Sequence, residues 1–200
     1  MIFGPTRRRD APEASIMSLR NSPDRYGAVS LTLHWLTAVL IVAAWLLGTF
    51  DDVLPKGPAR DAGLFAHITF GLTMLALLAI RLPWRLADPP PQPEPATTGP
   101  WAQRAAHFTH WLLYALLAGV ITAGIVLQFA RGRPLPLFGL AEIASPWVAD
   151  RAFARSVKEV HEVLANALVS LAVLHAVAAL FHHWILRDRT LLRMLPRFRR

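Results

Sequence analysis

The stretch VHEVLANALVSLAVLHAVAALFHHWIL, residues 160–186, decides the fold. From position 163 to 186 it runs 24 residues without an Asp, Glu, Lys or Arg. That exceeds the roughly 20 apolar residues a helix needs to cross the hydrocarbon core of a bilayer. Within the stretch, His161 and His175 stand 14 positions apart. On an α-helix this is close to four whole turns, so both imidazoles share a face and lie roughly 21 Å apart along the axis. Histidines inside a membrane span are uncommon and turn towards the bundle interior. Two on one face therefore require partners from other helices.

Composition agrees with a membrane setting. The 200 residues are 54% hydrophobic and only 17% charged, too apolar for an ordinary water-soluble domain and suited to one small integral bundle. The formal charge of +8 comes largely from arginines near the ends and in the connections, a pattern that reports topology rather than a nucleic-acid surface. With no cysteine in the chain, disulfides, iron–sulfur clusters, zinc–thiolate sites and Cys-linked haem are excluded. Any metal must rely on histidine.

In chain order, residues 1–25 form a basic tail with no apolar run that would serve as a signal-peptide core, and Met17 stands as an alternative start. Residues 26–50 carry no formal charge and make the first span, with His34 near its beginning. Residues 62–80 make the second, with His67 early and Arg81 closing it. A proline-dense linker then reads as extended chain. Residues 105–130 make the third span, with His107 and His110 at its entrance. The connection 131–159 is the longest, and its prolines at 134, 136 and 146 argue against a fifth crossing. The fourth span follows, and residues 187–200 form a second basic tail. The expected fold is an all-α, integral membrane four-helix bundle over residues 26–186. The two tails and the middle linker carry fourteen Lys and Arg against seven in the other two connections, which assigns both termini to the cytoplasm.

This topology pairs the histidines by depth. His67 and His161 both lie towards the outer side, and His34 and His175 both lie in the inner half. Depth alone favours His175 over His182 only slightly. A flat macrocycle against a helix needs room beside its ligand, and the residue at i+4 occupies that place. His34, His67, His161 and His175 are followed at i+4 by Ala38, Gly71, Ala165 and Ala179, whereas the other four histidines have Trp111, Tyr114, Leu186 and Arg187 there. Two facing pairs suit bis-His coordination of two b-type haems stacked across the membrane.

Any one of these histidines taken alone reads as a structural side chain bonding across helices; four in paired positions shift the balance to ligation. His107 and His110 read as interfacial residues that cap, snorkel or touch a haem propionate, and His182 and His183 as interfacial too, although His182 lies nearly on the face of His175 and offers a quinone contact. The tryptophans near span ends read as interfacial anchors, and Arg81 as a topology charge with a haem propionate as the lesser alternative. A single zinc ion does not fit four imidazoles at two depths, and a proton-relay transporter would carry membrane carboxylates, for which Glu162 is the nearest candidate.

The segments SLTLHWL around His34, AHITFG around His67, AHFTHWLLYALL, HEVLAN at His161, and LHAVAALFHH with the tail RDRTLLRMLP resemble the bacterial cytochrome b561 family of inner-membrane proteins. The resemblance covers about residues 26–196. It implies four spans, two haem b groups held by His34 with His175 and by His67 with His161, and electron exchange with ubiquinone in the inner membrane. One branch of the family is a superoxide oxidase, which implies superoxide or another periplasmic electron donor and the reaction of a superoxide:ubiquinone oxidoreductase. The alternatives are a membrane-anchor cytochrome b subunit of a larger dehydrogenase or hydrogenase, and a non-redox structural or transport bundle.

Overall fold

The computed structural model describes residues 18–92, 94 and 99–196. The expectations for residues 1–17 and 197–200 and for parts of the proline linker lie outside the described residues. Four helices dominate: α1, Ala28–Thr49; α2, Pro58–Ala87; α3, Gly99–Ala130; and α4, Arg151–Trp184. All four are long and apolar enough to cross a bilayer. The all-α four-helix membrane bundle is thus the observed architecture. α1 packs chiefly on α2, and α3 on α4, with sparser contact between α2 and α3 and between α1 and α4. A shared core of Leu40, Ala44, Met74, Leu78, Leu117, Ile121 and Leu168 joins the two hairpins.

Helix limits differ from the limits of the apolar runs. Arg81 does not close α2, which continues through Pro83 to Ala87. A charge ends a hydrophobic band without ending a helix, and the backbone stops only where Asp88 meets Pro89 and Pro90. Likewise α4 begins at Arg151, inside what reads as the long connection. The Asp150 side chain caps it by accepting from the amides of Ala152 and Phe153 at 2.9 and 3.0 Å. Its charged first turns are built from good helix formers and include an i,i+4 pair of Lys158 with Glu162. At 34 residues, α4 is roughly 51 Å long and extends well beyond the ~30 Å hydrocarbon core.

The connection between α3 and α4 also holds a small antiparallel hairpin, β1 (Leu135–Leu137) paired with β2 (Ala141–Ile143). Together with the α1–α2 connection it forms what is here termed the loop end of the bundle. At the opposite, terminal end the described segments before α1 and after α4 meet. Residues 18–25 do not trail freely as a tail: the Asn21 amide donates to the Asp88 carboxylate at 2.8 Å, and Arg25 donates to the Leu192 carbonyl at 2.9 Å. Three tryptophans read as interfacial anchors instead bond within the bundle. Trp35 donates to the Met194 carbonyl, Trp45 to Asn166 of α4, and Trp84 to Ser30 of α1. Trp101 and Trp184 are exposed, as an anchor should be.

Candidate haem sites in the bundle

α4 carries one member of each histidine pair, and the partners come from the first hairpin. At the loop end, His67 of α2 faces His161 of α4 with ring centres 6.0 Å apart and planes at 69°. At the terminal end, His34 of α1 faces His175 of α4 at 6.4 Å and 70°. A metal ion bound about 2 Å from an imidazole nitrogen on each side would hold two ring centres about 6 Å apart. Both separations fit. Among the described residues no protein-only cluster of three or more His, Asp or Glu side chains converges on a metal position, so a macrocyclic group suits these pairs better than a bare ion.

The loop-end pair is oriented for ligation by its own backbone. Nδ1 of His67 bonds to the Ala44 carbonyl at 2.8 Å, and Nδ1 of His161 to the Val120 carbonyl at 3.0 Å. A carbonyl only accepts, so the proton sits on Nδ1 in both rings and leaves Nε2 as the free electron-pair donor. Two glycines permit these contacts. A Cβ on Gly48 would come 3.1 Å from Cε1 of His67, and one on Gly124 would come 3.2 Å from Cε1 of His161. Beside His67, by contrast, a Cβ at Gly71 would meet nothing within 4 Å, the open face that a flat ligand requires.

The terminal-end pair has a different surrounding. Nη2 of Arg81 donates to Nδ1 of His34 at 2.9 Å, which puts the proton of the neutral ring on Nε2. Ligation through Nε2 therefore needs the proton moved to Nδ1 and a new acceptor for Arg81. A carboxylate such as a haem propionate has the right charge. His110 of α3, read from sequence as interfacial, stands with its ring centre 5.3 Å from that of His175. Arg81 and Arg85 lie 5.4 and 5.9 Å from the centre of the Tyr114 ring. Neither guanidinium has a carboxylate within ion-pair distance among the described residues, although Arg81 is only partly exposed within a membrane helix. A buried, unpaired cation in a bilayer is costly. The donor set at both pairs thus fits haem b, and at the terminal end an anion is needed as well.

Of the remaining histidines, His107 accepts from Trp111 Nε1 at 3.0 Å on an exposed face of α3. His182 is joined through Nδ1 to the Asp188 carboxylate. The sequence did not single out Arg85, Tyr114, Gly48 or Gly124 for these sites, and it offered His110 only as an interfacial residue or a propionate contact. Only helical spacing offered a signal, since His110 and Tyr114 are four apart on one face.

A four-span helical bundle with paired membrane histidines and no cysteine defines a membrane cytochrome of the b type. The comparisons agree: a model of the prokaryotic cytochrome b561 family matches residues 25–197, and the chain belongs to that family. Cytochrome b561 homolog 2 of Escherichia coli K12 is 34% identical over 186 residues, covering 90% of this chain and 95% of the relative. A probable superoxide oxidase, CybB, of Yersinia pestis is 33% identical over 88% of this chain and 98% of its own length. Cytochrome b562 of Cereibacter sphaeroides is 30% identical over 85% and 94%. The protein is accordingly a multi-pass bacterial membrane electron-transfer protein for which the family implies b-type haem.

Proposed function

We propose that the chain holds two haem b groups, one between His67 and His161 and one between His34 and His175, and passes electrons from superoxide at a periplasmic loop end to ubiquinone near a cytoplasmic terminal end. The facing histidine pairs on α4, with ring separations of 6.0 and 6.4 Å, carry this reading. Bound haem supplies reversible one-electron chemistry at iron. The chain supplies everything else. The Ala44 and Val120 carbonyls hold the loop-end imidazoles in the tautomer that offers Nε2, and Arg81, now donating to Nδ1 of His34, would give its charge to a haem propionate and free that ring for ligation. The similarity to a protein named as a probable superoxide oxidase supports superoxide as the donor.

The reaction balances as two superoxide anions losing one electron each to leave two dioxygen molecules, while one ubiquinone takes two electrons and two protons to become ubiquinol. At the terminal end His182 is partly buried and held by Asp188. With Nδ1 donating to Asp188, its Nε2 serves as the acceptor for a hydroxyl of the ubiquinol head group. The fourteen-to-seven bias of Lys and Arg towards the terminal end supports its cytoplasmic placement.

A pyridine haemochrome assay and acid–acetone extraction test the reading together. Two extractable haems per chain are expected. A count near one, or haem that remains on the polypeptide, refutes it. Stopped-flow haem reduction by superoxide, followed by transfer to ubiquinone, tests the substrates.

A further inference from the structure

The two histidine pairs stand in opposite electrostatic surroundings. At the terminal end, Arg81 donates to Nδ1 of His34 at 2.9 Å, and Arg81 and Arg85 both lie against the Tyr114 ring, one helical turn from the His110 that touches His175. Among the described residues no carboxylate is ion-paired with either guanidinium, the nearby Asp88 and Asp188 being held by Arg20 and His182. At the loop end, Glu162 adjoins His161 in α4 and Asp51 lies in the α1–α2 connection, with Arg131 at the end of α3 as the opposing cation. Lys158, also nearby in sequence, is tied to Glu162. The difference is built into α2, whose extension past the apolar band carries Arg81 and Arg85 alongside Tyr114, where the ring holds both side chains.

We infer that Arg81 and Arg85 make the terminal-end haem the more oxidising of the two, so that the chain orders the reduction potentials and an electron arriving at the loop end comes to rest at the terminal end. This inference rests on the proposed two-haem reading. Ferric iron carries one more positive charge than ferrous, so a neighbouring cation raises the energy of the oxidised state more than that of the reduced one. A low-dielectric setting strengthens the effect relative to water. Both haems bring the same propionates, so the contrast between the ends comes from the protein's own charges. For the proposed reaction this keeps reducing equivalents beside the quinone and away from dioxygen, the product formed at the other end.

Redox titration of the purified di-haem protein, followed at the α-band, tests the inference. The variants His67→Ala and His34→Ala, each retaining one haem, assign the two midpoints. The haem left in His67→Ala should titrate at the higher one. Arg85→Gln should lower that higher midpoint and leave the other in place, while Arg85→Lys keeps it close to the parent value, which a merely structural role would not produce. Arg85 touches the Tyr114 ring rather than a ligand, so its replacement spares the first coordination sphere. If the terminal-end haem titrates at the lower midpoint, or if Arg85→Gln moves neither midpoint in a protein with two haems, the inference is overturned. A parent protein with a haem count other than two overturns the haem reading and this inference together.

Discussion

His67 and His161 commit Nδ1 to main-chain carbonyls at 2.8 and 3.0 Å, and this one bond settles tautomer and ring direction and leaves Nε2 with its free electron pair. If these residues act as a pair, replacing either by Ala removes the same loop-end haem, and replacing His34 or His175 removes the other. His107→Ala should leave both. Optical spectra and haem counts of the five variants check this. Loss of one haem from His182→Ala with full content in His175→Ala would make His182, and not His175, the partner of His34. The glycines give a finer test. At Gly124 an added methyl would stand 3.2 Å from Cε1 of His161, a contact that displaces the ring by a few tenths of an ångström, and overpacking of this kind costs about 1–3 kcal/mol. Gly124→Ala should shift the electron paramagnetic resonance signature of one ferric haem and leave the second unchanged.

Elements end where backbone hydrogen bonding ends, and at the close of α4 this involves an acid–base pair. Asp188 accepts from His182 Nδ1 and from the Thr190 amide at 2.9 Å. Burial pushes the Asp188 carboxyl up, but those hydrogen bonds together outweigh it and hold the group below the usual carboxylate range. A carboxyl depressed on folding stabilises the folded state above its ordinary pKa, and that contribution is lost as pH falls through the lowered folded value. The turn after α4 should therefore stay docked at neutral pH and loosen only in acid below the usual carboxylate range. Limited proteolysis of the C-terminal segment should be slow at pH 7 in the parent protein and faster in Asp188→Asn. Loss of a hydrogen bond to a charged group costs about 1.5–3 kcal/mol. Equal cleavage of the two proteins would show that the pair does not anchor the turn.

For the whole molecule, the charge map matters more than any single contact. The five basic residues between the third apolar span and His161, namely Arg131 and Arg133 before α4 and Arg151, Arg155 and Lys158 in its first turns, suggest a positive field for superoxide. Yet Glu142, Asp150, Glu159 and Glu162 share that region, and Asp51, Asp52 and Asp61 face Lys56 and Arg60 in the other loop-end connection. Since Lys158 pairs with Glu162, any steering must be local, with Arg131, half-buried and acting on His161, as its focus. Neutralising Arg131 should slow haem reduction by superoxide several-fold, whereas neutralising Lys158 should hardly change it, and salt should lower the parent rate modestly. Stopped-flow traces in liposomes of known orientation measure both. A rate equally affected by every loop cation would restore a diffuse field, and faster reduction from the terminal side would reverse the proposed direction.

The sequence by itself determined four apolar spans, because burial in lipid leaves an unmistakable run of uncharged residues, and it determined the two histidine depths, because helical rise converts spacing into distance. It did not mark helix ends. Arg81 and the charged segment from Arg151 interrupt hydrophobicity, whereas helices are held by backbone bonds that charged side chains do not break. The i+4 rule found Gly71 but not Gly48 or Gly124, since those lie on neighbouring helices and approach the imidazoles only after α1 packs on α2 and α3 on α4. For the same reason only the tertiary structure brought His110, Arg85 and Tyr114 to the terminal-end pair: which residues share a site across separate helices depends on rotation about each helix axis, a quantity that packing sets and spacing within one chain segment does not contain.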